Sequence, residues 1–238
     1  MGIVIEELYP EVCNLFGDSG NMRYLKLCLP EAEYIKTALN DKPHFVENDV
    51  NMIYMGPMTE NTQVHVIERL KPYKNRIEEL IENNVIFLMT GNSHEVFGNK
   101  ITDIDGTVVE CLGINNFYAE RNMMKRFSGL VLGNYEDIEI AAFRAQFTEG
   151  FAGEGLTPFV NLTKGVPMNK NSFIEGYVKN NFYGTYLLGP LLILNPYFTK
   201  KIIHKLCNKE RTLAFESEVL KAYETRLEDF KDQKVGIH

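Results

Sequence analysis

Cysteine is scarce and unpaired in this sequence. The four cysteines stand at positions 13, 28, 111 and 207, with no Cys-x-x-Cys pair and no histidine at ligand spacing, so neither a zinc site nor another metal centre is expected. Four free thiols in a reducing cytosol, mostly packed in the core, are the simplest reading. No apolar run approaches the roughly 20 residues of a membrane span. The amino terminus, MGIVIEELYP, has no basic region and turns acidic at once, unlike a signal peptide. Position 6 is Glu rather than Ser or Thr, which removes a myristoylation pattern. Asn161-Leu162-Thr163 is formally a glycosylation acceptor, without a secretory route to use it. Positive charge is also short: 25 Lys+Arg face 32 Asp+Glu, a net charge of −7. The single basic cluster, Lys200-Lys201 with His204-Lys205, reads as a solvated helix face, so no groove for nucleic acid is expected. These absences leave a cytoplasmic protein of ordinary globular composition, with no cofactor and no membrane insertion expected.

The chain divides into two textures. In the first half, strands alternate with helices. Residues 2–8 and 50–55 read as strands, a helix is expected from Met22 to Leu39, bent near Pro30, and residues 60–83 carry apolar residues at helical spacing, with a break at Pro72. A third strand, 85–89, follows. In the second half, short apolar pieces such as FSGLVLGNY and IEIAAFRAQF are cut by Gly, Asn and Pro, which signals hairpins. Helices are expected at 195–207, opened by Asn195-Pro196, and at 210–231. The resulting expectation is an α/β fold in one domain, 1–238: a mostly parallel central sheet flanked by helices, with an antiparallel portion from the second half.

The third strand stops at Thr90-Gly91-Asn92-Ser93, and a short helical segment runs to Gly98. A strand that breaks into a tight turn and then a helix is how α/β hydrolytic folds raise a nucleophile above the sheet. Gly56-Pro57 ends the neighbouring strand. Both turns should lie at carboxyl ends of parallel strands and share one pocket. Ser93 reads as a helix cap and His94 as an exposed or capping-region residue. Ser93-His94-Glu95 is not a triad, because consecutive helical residues point apart.

Four stretches carry a resemblance. LYPEVCNLFGDSGN (8–21), IYMGPMTENTQ (53–63), NNVIFLMTGNSHEVFG (83–98) and NNFYGTYLLGPLLILNPYFTKKII (180–203) are similar, in order and spacing, to class I glutamine amidotransferases of the cobyric acid synthase type (CobB/CobQ-like). Within that group they look most like the GatD-type glutaminase subunits of lipid II isoglutaminyl synthase. The resemblance implies a flavodoxin-like fold and a Mur-ligase-like (MurT-like) synthetase partner. It also implies hydrolysis of glutamine by an elbow Cys activated by a His, with an oxyanion hole helped by a Gly-rich loop.

At the positions matched to those parts, this chain has Thr90 for the Cys, Leu188 for the His, and Gly56-Pro57 in the loop, where Pro offers no N–H. Thr90 has no base beside it, and Leu cannot take a proton. The expectation is a subunit without glutaminase activity that binds or regulates its synthetase. Gly56, Pro57, Gly91 and Asn92 should line a pocket for a small amide or carboxylate, with Thr90 and Leu188 facing each other across it. The alternative is an active glutaminase supplying ammonia for peptidoglycan (lipid II) or cobyric acid amidation. Segment 114–127, with Phe117, Tyr118, Met123 and Met124, is the candidate docking surface.

Overall fold

The structure, a computed structural model, describes residues 2–232; Met1, used in reading the amino terminus, and residues 233–238, the tail of the single expected domain, lie outside. The strands are β1 (Val4–Leu8), β2 (Glu33–Thr37), β3 (Met52–Met55), β4 (Ile86–Thr90), β5 (Lys100–Asp103), β6 (Val108–Glu110) and β7 (Phe117–Arg121). They continue with β8 (Phe127–Tyr135), β9 (Ile138–Gln146), β10 (Thr148–Ala152), β11 (Thr157–Gly165), β12 (Ile174–Lys179), β13 (Phe182–Thr185) and β14 (Leu187–Leu188). The helices are α1 (Gly20–Cys28), α2 (Glu60–Leu70), α3 (Lys74–Glu82), α4 (Leu191–Leu194), α5 (Pro196–Cys207) and α6 (Glu216–Lys231).

Ten strands form one sheet in the order β14-β9-β8-β11-β12-β13-β4-β3-β1-β2. Four pairings, from β13 to β2, are parallel and five, from β14 to β13, are antiparallel. The expectation of a mostly parallel sheet is therefore corrected: the second half adds the larger share, because its hairpins extend the same sheet. Four further strands make a small separate sheet, β10-β7-β5-β6.

Burial explains the parallel half. β3 and β4 are buried at every position, so they read as unbroken apolar runs. Ile53, Met55, Phe87 and Met89 join a core layer with Val66, Ile67, Leu70, Ile77, Leu80 and Ile81 of α2 and α3. Met52, Tyr54, Ile86 and Leu88 face the other layer with Met22 and Leu25 of α1 and Phe198, Ile202 and Ile203 of α5. Helices thus cover both faces.

Two helix boundaries differ clearly from the expected ones, and two features agree. The helix expected from Met22 to Leu39 ends at Cys28, two residues before Pro30, and the chain then forms edge strand β2 against β1. The 60–83 segment does break at Pro72, in a 3-10 turn over Lys71–Tyr73. α6 starts at Glu216, because Phe215 adopts a left-handed φ of 52° and is exposed. α5 begins at Pro196 as expected; the side chain of Asn195 bridges to the backbone of Ala141 on β9, donating at 3.1 Å and accepting at 2.9 Å.

Most of the basic cluster on α5 is paired: Lys200 with Glu216 at 2.7 Å, Lys201 with Glu136, and His204 with Glu210 at 3.3 Å, while Lys205 donates to the Asn181 side chain at 2.9 Å. Among the described residues, no helix is long and apolar enough to cross a membrane.

Candidate functional site

The turn after β4 is built around Gly91. Thr90 completes the strand with extended backbone (φ −103°, ψ 155°), and Gly91 takes the left-handed φ of +60° that turns the chain into the 3-10 segment Gly91–Phe97. The sharpest point of the elbow is therefore Gly91, one residue beyond Thr90. A Cβ placed on Gly91 would lie 2.4 Å from Cβ of Pro57 and 3.3 Å from Cδ2 of Leu188. The Gly56-Pro57 loop, the elbow and Leu188 do meet. They meet by packing, and the Pro57 ring and Leu188 side chain occupy the room above Gly91.

Thr90 points elsewhere. Its hydroxyl donates to Oδ2 of Asp18, and the Tyr54 hydroxyl lies 2.7 Å from that same oxygen. Asn21 donates to the Tyr54 hydroxyl at 3.3 Å. Thr90, Asp18 and Asn21 are fully buried, and burial raises the Asp18 carboxyl above its usual range despite the hydrogen bonds from Thr90 and Tyr54. A hydroxyl committed to a carboxyl in a closed layer is a strut. Neither Thr90, Leu188 nor Gly56 lines the cleft at the elbow, so the expected facing pair across one pocket is corrected to Gly91 against Leu188.

The cleft is small, about 70 Å³, and Pro57, Gly91 and Asn92 line it together with Phe16, Arg126 and Gln146. The amide of Asn92 is already used: it donates to the Met58 carbonyl at 2.9 Å and accepts from the Met58 N–H at 3.0 Å, clamping the loop to the elbow. Gln146 has a buried side-chain oxygen with no hydrogen-bond partner among the described residues. Arg126 is exposed at the rim. A negatively charged group at the cleft mouth would find Arg126, whereas the Gln146 oxygen is closed off from it. Arg126 and Gln146 were not singled out from the sequence, because nothing local ties β8 and β9 to the elbow.

The three residues after Asn92 part company, as consecutive helical residues should. Ser93 is not a cap: its hydroxyl lies 2.9 Å from the Met55 carbonyl and 2.7 Å from the Thr90 carbonyl, tying β3 to β4. Glu95 is fully buried and accepts from Gln63 at 2.8 Å, Thr148 at 2.6 Å and Tyr186 at 2.8 Å. His94 is not exposed either. It sits at 0% exposure among Phe117, Tyr177 and Tyr186, ring centroids 5.0, 5.5 and 4.3 Å away. Burial, helped by Arg144, lowers its pKa to about 3, so it is neutral and a weak base.

That burial has a measurable sign. The folded state binds fewer protons at His94 than the unfolded chain between about pH 6.5 and pH 3. Its contribution is intact above the unfolded pKa and is lost as pH falls, at up to about 1.4 kcal/mol per pH unit. In His94→Phe, the stability lost between neutral and mildly acidic pH should shrink accordingly, as read by urea denaturation at several pH values. An unchanged pH slope would show that His94 does not stay neutral.

The thiols offer no nucleophile here. Cys13, Cys28 and Cys111 are buried, and burial raises all three, Cys111 to about 12. In the expected docking segment, Phe117 is buried at 1% exposure, whereas Tyr118, Met123 and Met124 are 38%, 48% and 92% exposed. Phe16, at the cleft mouth, is 53% exposed and has a left-handed φ of 61°, rare for a bulky residue.

No family-wide sequence profile matches the chain. It is 23% identical over 210 residues to the lipid II isoglutaminyl synthase (glutamine-hydrolyzing) subunit GatD of Streptococcus pneumoniae, covering 87% of this chain and 81% of that protein. It is 25% identical over 214 residues to the corresponding GatD subunit of Staphylococcus aureus, covering 87% and 86%. A crystal structure of a glutamine amidotransferase superposes with a TM-score of 0.57 at 10% identity, over 86% of this chain and 99% of that one. A second, from Thermotoga maritima, gives 0.54 at 9% identity over 97% and 93%. Along most of its length the chain is thus similar in sequence to GatD glutaminase subunits, and its fold is that of glutamine amidotransferases.

Proposed function

We propose that this protein is a glutamine amidotransferase-like subunit that has lost glutamine hydrolysis and acts by binding a Mur-ligase-like synthetase, in the setting of lipid II amidation that the GatD relatives indicate. One observation carries the reading: at the elbow apex a glycine stands under Pro57 and Leu188, so the place of a nucleophilic side chain is filled by apolar atoms. Around it Leu188 stands at the position matched to the histidine base, Pro57 has no N–H to donate to an oxyanion, and Thr90 is tied to Asp18 in a closed layer.

The retained fold then serves recognition. Exposed Phe16, Met123 and Met124 supply adaptable apolar contacts, Phe16 at the cleft mouth and the two Met residues just before rim residue Arg126. The cleft itself suits a small amide or carboxylate, with Arg126 at its rim as the charged contact. The chain works as a single domain, without metal or cofactor, in the cytoplasm.

The test is ammonia release from glutamine by the purified chain, alone and with its synthetase present. Background rates in both are expected, and no labelling of residue 90 or 91 by a thiol-directed glutamine analogue. Turnover that disappears in Thr90→Ala would make Thr90 a nucleophile and establish the alternative, an active glutaminase.

A further inference from the structure

A second concavity on the parallel half of the sheet lies across the residue 14–19 loop from the elbow cleft. It is a cavity of about 490 Å³ between α1 and edge strand β2, at the carboxyl ends of β1 and β2. Arg23 and Lys26 reach it from α1, one helical turn apart, and Lys36 from β2. Glu7 is the one acidic residue in its wall, 3.5 Å from Lys36 and 2.9 Å from the Ser19 hydroxyl. Lys26 stands over the Tyr34 ring, 5.6 Å from its centroid. Arg23 has no side-chain hydrogen bond or ion pair among the described residues.

This is unusual in an acidic chain. In the basic cluster on α5, Lys200 and Lys201 each have their own carboxylate, whereas here three cations face one carboxylate that is itself shared with Ser19. The cations converge on a concave space at the end of the strand set where α/β sheets bind ligands. Arg and Lys together suit a dianionic group, and a phosphate carries about −1.5 to −2 charges near neutral pH. A nucleic-acid tract would need a longer stripe.

We infer that Arg23, Lys26 and Lys36 form a second ligand site, for a phosphate-bearing small molecule. The wall of this site is also a wall of the elbow cleft. Asn14 and Ser19 face the cavity, and Leu15 and Phe16, between them in sequence, face the cleft. The Asn14 side chain accepts from the Ser19 N–H at 2.8 Å and closes the loop on itself. Occupancy on one side therefore bears on the Phe16 mouth on the other.

The experiment is isothermal titration and thermal unfolding of the full chain with inorganic pyrophosphate, and separately with ADP. Pyrophosphate should bind saturably and raise the melting temperature, more at low than at high salt. Arg23→Gln with Lys36→Gln should weaken binding at least about tenfold. The unliganded melting temperature should stay within a few degrees, since both side chains lie at the surface. Tighter binding of ADP than of pyrophosphate would identify the ligand as a nucleotide stacking on Tyr34, and equal binding would identify the phosphates alone as what is read. No saturable binding of either probe, or equal binding by the double variant, would overturn the site and leave these cations as solvated charges that protect the sheet edge. Neither result touches the glutaminase assay, so the two readings fail separately.

Discussion

Gly91→Cys should destabilise the protein by about 2–5 kcal/mol and release no ammonia from glutamine. A non-glycine residue in the left-handed region costs about 1–2 kcal/mol. Forcing a side chain into the 2.4 Å gap before Pro57 adds about 1–3 kcal/mol of overpacking. The midpoint of urea unfolding measures the loss. Pro57→Gly in the same background removes the Cβ in conflict, so the double variant should be more stable than the two separate losses predict. A stable Gly91→Cys protein with a reactive thiol would mean that the elbow is open, and the argument that apolar atoms fill the place of a nucleophile would fall.

Arg144→Met should cost about 3–5 kcal/mol, because it breaks a buried charge arrangement without replacing it. Arg144 is fully buried on β9. Its guanidinium donates to the carbonyls of Val166 at 3.0 Å, of Pro167, of Met168 at 3.3 Å and of Thr148 at 3.5 Å, and it lies over the Tyr186 ring at 4.9 Å. Burial lowers the Arg144 pKa, and nearby Glu175 opposes that; Glu175, raised by burial, is steadied by the same cation. Removing the guanidinium leaves four carbonyls and a buried carboxyl without their cation. The 166–168 loop should then exchange its amide hydrogens faster than the strands beside it. A loss below about 1 kcal/mol would show that the carbonyls find other partners.

The parallel strands were legible because each is an apolar run with a turn residue after it, as in Met52–Met55 before Gly56 and Ile86–Thr90 before Gly91. β8 and β9 were legible as Gly- and Asn-bounded pieces. β2 was not: Glu33–Thr37 is a half-exposed edge strand with two charged residues, and its pattern continues that of the helix before it. β5, β7 and β10 were missed too: they are short strands of a small sheet, and β7 pairs with β5 and β10 across intervening strands, so no tight turn marks either pairing. At the site, the convergence of Gly56-Pro57, the elbow and Leu188 came from motif order. Which residue occupies the apex did not, because Thr90 and Gly91 are neighbours and only the backbone angle tells them apart. His94 looked exposed because one polar residue in a turn gives no sign of the three aromatic rings that enclose it from other strands.

The register between Thr90 on β4 and Thr185 on β13 has a consequence for how the chain acquires its structure. Everything from β5 to β12 is made between these two partners. While the chain is being synthesised, β4 can pair with β3, but its other edge stays open until β13 arrives. During that interval an apolar strand presents unpaired N–H and C=O groups, a template for wrong partners. Closing so long a loop is slow, since its entropy is lost before the pairing gives anything back. Refolding should therefore yield less soluble protein as concentration rises, and substitutions in β13 should affect that yield more than their effect on final stability would suggest.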